Sequence, residues 1–323
     1  MNYNVTWIKD GQIKGNPYNK HNINRHTKNI QDYDREVTVF WQRVLDNEFK
    51  DLKFDYFLAI DGLMVSKSFL NQLTQHSPGI KKVLFLYDRV ENNYELDCFF
   101  PCYDSIFTFD LLDSNKYGIH HLPIYWIPSV DSQEECYDIF GMASYKAGDR
   151  YRIFKQVRNV ALAEGLHENI RLWHAPIKNR FKYTLKHFIN RLRGRFSLSL
   201  TELNGSLFTE QLLSPDEFRR VILSSKAILD THNSYQDGLT ARFMWALGAE
   251  KKILTTNPSA KEYPFYDSRQ VFIIEDIERD VDNMRVFLQT PYHMPDSIRE
   301  MILPYRIDNW IKTLFDVCHE KCK

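Results

Sequence analysis

SSKAILDTHNSYQDGLTARFMWALGAEKKILTTN, residues 224 to 257, holds one strand–loop–helix–strand unit whose reading decides the fold. Ala227 to Asp230 is a short apolar run bounded by polar residues, as a buried strand is. Thr231 to Asp237 is a polar loop, and Leu239 to Leu247 has the composition of a helix. Lys252 to Thr255 supplies the next strand. A helix that starts just after a strand offers backbone N–H groups and the positive end of its dipole, which together suit a phosphate. Gly238 permits close backbone approach, Thr240 falls in the helix's first turn, and Arg242 can add a charge-assisted contact to a diphosphate. The plainer alternative is that Gly238 only makes a turn and Thr240 only caps a helix.

The same alternation continues outward. Toward the N-terminus, strands are expected at Tyr56 to Ile60, Val83 to Tyr87, Ser105 to Phe109 and His121 to Ile127, with helices at Ser68 to His76 and Leu111 to Tyr117. Residues 10 to 36 read as loop, and Val37 to Phe49 has helical spacing. After a hinge-like stretch, Pro128 to Glu135, strands are expected at Tyr137 to Gly141, Ile170 to His174 and Val271 to Ile274. Helices are expected at Asp149 to Gly165, Pro215 to Ser224 and Ile307 to Cys318. Strands separated by helical segments indicate parallel sheets with crossover helices. Length fits two cores, because one core rarely grows past about 250–300 residues. The expected domains are 1–133, 134–303 and a C-terminal helix at 304–323, with ligands in a cleft at the carboxyl ends of the strands.

Composition narrows the function. Lys plus Arg and Asp plus Glu each total 42, so no net charge draws the chain to nucleic acid. The five cysteines fit free thiols in a reducing cytoplasm, and no secretory signal or apolar span is present. Cys98/Cys102 and Cys318/Cys322 lack zinc spacing, and the two Asp-x-Asp pairs, Asp32/Asp34 and Asp280/Asp282, do not follow an apolar strand. Metal is therefore not expected. No nucleophile elbow, Walker loop or dinucleotide fingerprint occurs.

Ser225, Lys226, Asp230, Gln236, Gly238, Leu239, Thr240, Arg242, Lys251, Lys252 and Thr255 to Asn257 together resemble a pattern of GT-B glycosyltransferases from bacterial capsule, O-antigen and lipopolysaccharide clusters. YDIFGMASYKAGDRYRIF, Tyr137 to Phe154, is similar to the start of that family's C-terminal domain. VLFLYDRVENN, Val83 to Asn93, and the Ser105 to Pro128 segment resemble its N-terminal motifs. The resemblance implies an α/β GT-B fold of two Rossmann-like domains, with a nucleotide-sugar donor in the C-terminal one and a saccharide or lipid-linked saccharide acceptor in the N-terminal one. It further implies no cofactor, with basic side chains and helix dipoles stabilising the departing diphosphate. Gly141, Arg150, Asp230, Gln236, Gly238, Leu239, Thr240 and Arg242 are the donor-binding candidates. Trp245 stands where such enzymes commonly place a glutamate that holds the donor ribose.

Asp88 and Asp110 each follow an apolar strand and are the candidates for a base that deprotonates an acceptor hydroxyl. Each has an alternative as a cap, of a turn for Asp88 and of the helix from Leu111 for Asp110. Residues 177–200 carry seven cations and no acid, with Phe181, Leu185, Phe188 and Leu192 at helical spacing. Either this basic amphipathic helix touches anionic lipid at the cytoplasmic face of the inner membrane, or its stripe packs on its own domain. Two rival readings stay open: a glycosyltransferase-like protein without catalysis, and another nucleotide-activated transferase, such as a glycerophosphate transferase.

Overall fold

Short β-branched and aromatic runs that are apolar on both faces form the buried strands of parallel sheets, and the amphipathic segments between them form the covering helices. A computed structural model describes residues 4–6, 30–62, 65–92, 96–128, 134–146, 148–233 and 235–320. The chain divides into two units, Met1–Pro123 with Trp310–Lys323, and Ile124–Asn309.

Among the described residues the first unit contains α1 (Ile30–Asn47), β1 (Tyr56–Ile60), α2 (Lys67–His76), β2 (Lys81–Leu86), β3 (Ser105–Thr108), α3 (Leu111–Tyr117) and β4 (His120–His121). Its sheet is parallel in the order β1-β2-β3-β4. Val37, Trp41, Val44 and Leu45 put one face of α1 into the core, where Trp41 stacks on Phe69 of α2 at 4.6 Å. Helix α1 begins seven residues before the expected Val37. Most of the loop expected over 10–36 lies outside the described residues, as do 129–133 of the expected hinge. The long strand expected over His121 to Ile127 is also corrected. Only His120 and His121 pair with β3, because Pro123 has no N–H to extend the ladder, and Trp126 makes an isolated parallel bridge to Arg306.

The second unit contains β5 (Tyr137–Ser144), α4 (Asp149–Ala163), β6 (Glu168–Trp173), α5 (Arg180–Leu192), α6 (Leu200–Leu203), β7 (Phe208–Thr209), α7 (Pro215–Leu223) and β8 (Ser225–Asp230). It continues with α8 (Ala241–Gly248), β9 (Lys252–Thr255), β10 (Val271–Ile273), α9 (Val281–Gln289) and α10 (Asp296–Ile302). The last helix, α11 (Ile307–Glu320), enters the first unit at Trp310. There the Trp310 indole donates to the Pro123 carbonyl at 2.9 Å, and Phe315 packs on Tyr56.

The second sheet runs β10-β9-β8-β5-β6-β7, all parallel. The chain builds outward from β5 through β6 to β7, then returns to the other side of β5 and builds outward again through β8, β9 and β10. This is the doubly wound order, and its direction reverses between β5 and β8.

Close packing fixes one glycine here. A Cβ on Gly248, the last residue of α8, would meet three ring atoms of Trp126 at 2.4–2.5 Å. That ring is held by its indole bond to the Ile302 carbonyl at 2.8 Å. Gly248→Ala is therefore expected to cost about 1–3 kcal/mol by overpacking, read as a lower midpoint in chemical denaturation. An unchanged midpoint would mean that Trp126 moves aside freely.

Candidate functional site

Doubly wound sheets open a crevice at the carboxyl ends of the strands where their order reverses, and several of the candidate residues gather at that point, between β5 and β8. Asp230 closes β8 and is almost wholly buried. Burying a carboxylate requires partners, and it has three. The Thr240 hydroxyl donates to Oδ1 at 2.7 Å, the Thr255 hydroxyl donates to Oδ2 at 3.1 Å, and Arg242 Nη1 lies 3.5 Å from Oδ1. One side chain thus ties together the ends of β8 and β9 and the start of α8. Its position is that of an organiser.

Thr240 is the N-cap of α8 and accepts from the Phe243 amide, so the helix starts at Ala241 and not at Leu239. Its cap accounts for one of the orphan donors of the first turn and leaves the Ala241 and Arg242 amides at the helix mouth. Asn257 holds the preceding loop, donating from Nδ2 to the carbonyls of Asp237 and Gly238 at 3.1 Å each. Gln236 is buried and accepts from Asn233 Nδ2 at 3.2 Å. Leu239 has no exposed surface and belongs to the core, which corrects its place among the ligand-contacting candidates.

Arg150, in the first turn of α4, approaches from the β5 side. Its guanidinium donates to the Ser144 carbonyl and to Asn233 Oδ1, both at 3.2 Å. Lys146 also donates to Asn233 Oδ1, at 3.2 Å. Burial holds Arg150 below its ordinary pKa, and the charge of Arg242 lowers it further, against the pull of Asp230. Arg242 is likewise lowered by burial, with Asp230 opposing. Its two hydrogen bonds are long, 3.4 Å to the Leu229 carbonyl and 3.5 Å to Asp230. Its buried Nε has no partner in the protein. Two guanidiniums thus lie close enough to repel one another, beside a single organising carboxylate already engaged by two hydroxyls. Desolvated cations arranged this way are stabilised by an incoming anion with several acceptor oxygens.

Two further buried donors are unpartnered, the Thr231 hydroxyl and the indole N–H of Trp245. Trp245 packs edge-on against Phe218 of α7 at 6.3 Å, and the Arg242 guanidinium lies 6.0 Å above the same ring. His232, next to Thr231, is lowered by burial, with Arg150 adding to the effect. It lies 2.8 Å from the Thr256 hydroxyl. Lys146, His232 and Asn233 are the crevice residues that the sequence does not single out, because nothing in a polar loop announces which strand ends it will lie between, whereas Thr256 belongs to the resembling motif.

Gly141 is corrected. It sits in the middle of β5, paired with Ile170, and a Cβ there would meet Leu229 Cβ at 2.9 Å. Its missing side chain makes room for β8 packing and not for a ligand. Lys226, Lys251 and Lys252 lie at the amino ends of β8 and β9 and make framework contacts, with Asp138, Glu135 and the Thr290 carbonyl.

Asp88 and Asp110 belong to the first unit. Asp110 is fully buried and caps α3, accepting from the Leu112 and Asp113 amides at 3.1 and 3.2 Å, with Arg89 Nε 3.8 Å away. Beside it, Asp113 accepts from the Val90 amide at 2.7 Å, and burial raises its carboxyl above the usual range. The cap alternative describes Asp110, so its place among the bases is corrected: a carboxylate sealed from solvent has no route to an acceptor hydroxyl. Asp88 is half-buried just past β2. Its amide donates to Asp61 Oδ1 at 3.1 Å, as the Tyr87 amide does at 2.7 Å. Asp61 itself has φ 57, and its pairing with Gly62 after a strand is the one sequence signal for this tight end.

The sequence matches no family model and no curated protein. Solved structures do resemble the chain. The pneumococcal O-GlcNAc transferase GtfA, in complex with UDP and GlcNAc, aligns over 88% of this chain and 60% of its own, with a TM-score of 0.51 at 10% identity. Accessory secretory protein 1, 2 and 3 of Streptococcus pneumoniae aligns over 89% and 57%, with 0.48 at 12%. TarM aligns over 88% and 58%, with 0.47 at 9%. This chain spans about three fifths of the length of each. At such identities the likeness concerns architecture alone, and with the parallel sheets described above it gives the chain the GT-B fold, two Rossmann-like α/β units.

Proposed function

We propose that the chain is a glycosyltransferase that binds a nucleoside-diphosphate sugar at the β5/β8 crevice. The observation that carries this reading is the pair Arg150 and Arg242, two half-buried guanidiniums beside the mouth of α8, where the charge of Arg242 destabilises that of Arg150 and the Arg242 Nε has no partner. A diphosphate offers them acceptor oxygens and negative charge at once. In such a site the arginines and the Ala241 and Arg242 amides would stabilise the leaving diphosphate, a task a divalent cation otherwise performs. The acceptor is a growing bacterial surface polysaccharide or lipooligosaccharide, free or lipid-linked, as in capsule, O-antigen and lipopolysaccharide assembly at the cytoplasmic side of the membrane. If the reaction inverts the anomeric centre, Asp88 is the base; if it retains, the leaving phosphate takes the proton.

Isothermal calorimetry with UDP, GDP, CDP and TDP is the direct test. At least one is expected to bind in the absence of divalent cation, and failure of all four sinks the donor-site assignment. A second reading, binding without catalysis, is favoured by one observation. Trp245 presents an N–H donor where the resembling enzymes commonly use a carboxylate to accept from ribose hydroxyls. Transfer or hydrolysis of a bound nucleotide sugar, followed by mass spectrometry, separates the two readings, and the same assay with a nucleoside-diphosphate glycerol as donor identifies any glycerophosphate transfer.

A further inference from the structure

The segment that leaves the second sheet between β6 and β7 carries α5, and this helix is turned the opposite way from a core-facing one. Tyr183, His187 and Asn190, at i, i+4 and i+7, are its half-buried positions. The Tyr183 hydroxyl donates to the Leu198 carbonyl at 2.9 Å, and His187 Nδ1 lies 3.2 Å from the Ser197 hydroxyl. The polar face is therefore the one that holds α5 to the protein. On the opposite face Phe181, Leu185, Phe188 and Leu192 are 81%, 51%, 59% and 72% exposed. Ile189, one residue on from Phe188, adds to the exposed apolar surface of the helix. The expected alternative, that this stripe packs on its own domain, is overturned: no residue of α5 is buried.

A contiguous exposed patch of large apolar side chains marks an interaction surface. Its border identifies the partner. With 100° per residue, Lys182 and Lys186 flank one side of the stripe, and Arg180 and Arg191 flank the other. Lys178, Arg193 and Arg195 lie just beyond the ends of the helix, and no acidic residue occurs from 169 to 201. A second copy of the same face would bring two rings of like charge together. A nucleic acid would satisfy the cations and leave the apolar stripe wet. An anionic bilayer satisfies both, with acyl chains for the stripe and phosphates for its two flanks.

We propose that α5 is a membrane-docking helix that lies in the plane of an anionic lipid surface, stripe inward, and anchors the second unit there. No helix among the described residues is long and apolar enough to cross a membrane, so this is attachment to the surface. The proposal does not depend on the donor site, and its test contains no nucleotide. Flotation of the full chain with phosphatidylcholine vesicles, with and without phosphatidylglycerol, measures it.

Association is expected with the anionic vesicles, weakening as salt screens the phosphates. Phe181→Ser, Leu185→Ser, Phe188→Ser and Leu192→Ser combined should keep the wild-type melting curve, since all four are exposed, and reduce association by roughly tenfold or more. Lys182→Gln, Lys186→Gln and Arg191→Gln combined should reduce it by about fivefold per cation lost. The assignment is overturned by absence of association with anionic vesicles, or by a serine variant that floats like wild type. A concentration-dependent dimer in ultracentrifugation that the serine changes dissociate would also overturn it, giving the face to a second copy.

Discussion

Asp230→Asn should lower the stability of the second unit by about 3–5 kcal/mol, the usual cost of removing one partner from a buried charged cluster. The carboxylate accepts from two hydroxyls on two different elements and faces a guanidinium, all in a nearly water-free position. An amide in its place offers one acceptor oxygen instead of two and turns its NH2 toward a hydroxyl or toward Arg242. Either arrangement leaves a buried donor unmet, and Arg242 loses the one charge that opposes its desolvation. For a unit of this size the melting temperature should fall by about 10 °C or somewhat more. Thr240→Val and Thr255→Val each remove one hydroxyl and should cost less, about 1–2 kcal/mol apiece, with a coupling between them in a double-mutant cycle. A change of under about 1 kcal/mol for Asp230→Asn would show that Thr240 and Thr255 hold the crevice without the carboxylate.

How much of this could be read from the chain depends on what each feature needs. Strands β1 and β9 lie where their apolar runs place them, because a short buried strand is written locally. The order β10-β9-β8-β5-β6-β7 is not written in any run, since the runs are alike and their neighbours are set by tertiary packing. The crevice at β5/β8 was therefore legible only as a strand followed by a helix mouth. Within residues 225–257 the resemblance marks both ends of the strands alike. Lys226, Lys251 and Lys252 prove to be framework at the amino ends, while Asp230, Thr240, Arg242, Thr255 and Asn257 assemble at the carboxyl ends. Gly141 shows the same limit: a glycine signals close approach without saying of what, and here it is Leu229. For α5 the spacing of Phe181, Leu185, Phe188 and Leu192 gives the helix and its stripe. Which face turns outward is decided by Tyr183 and His187 finding partners at Leu198 and Ser197.

Arg242→Met should separate binding from stability, which Asp230→Asn cannot do. The guanidinium is 18% exposed, its two hydrogen bonds are at the long limit, its Nε is unpartnered, and Arg150 repels it. Removing it relieves Arg150 and leaves Asp230 both of its hydroxyl donors, so the melting temperature should move by only about 2–4 °C in either direction, that is, roughly 1 kcal/mol. Binding should respond differently. Charge-assisted hydrogen bonds to phosphate are worth about 1.5–3 kcal/mol, so the affinity for the best nucleoside diphosphate in calorimetry should fall by roughly 10–100-fold. Arg242→Lys retains the charge and loses the planar fork, and should recover only part of that affinity. Arg150→Met, from the other side of the crevice, should weaken the same nucleotide by a similar factor, and the double variant should bind too weakly to measure. If Arg242→Met instead melts far below wild type while Arg150→Met binds normally, Arg242 is a strut of the α8 corner, and the anion belongs elsewhere.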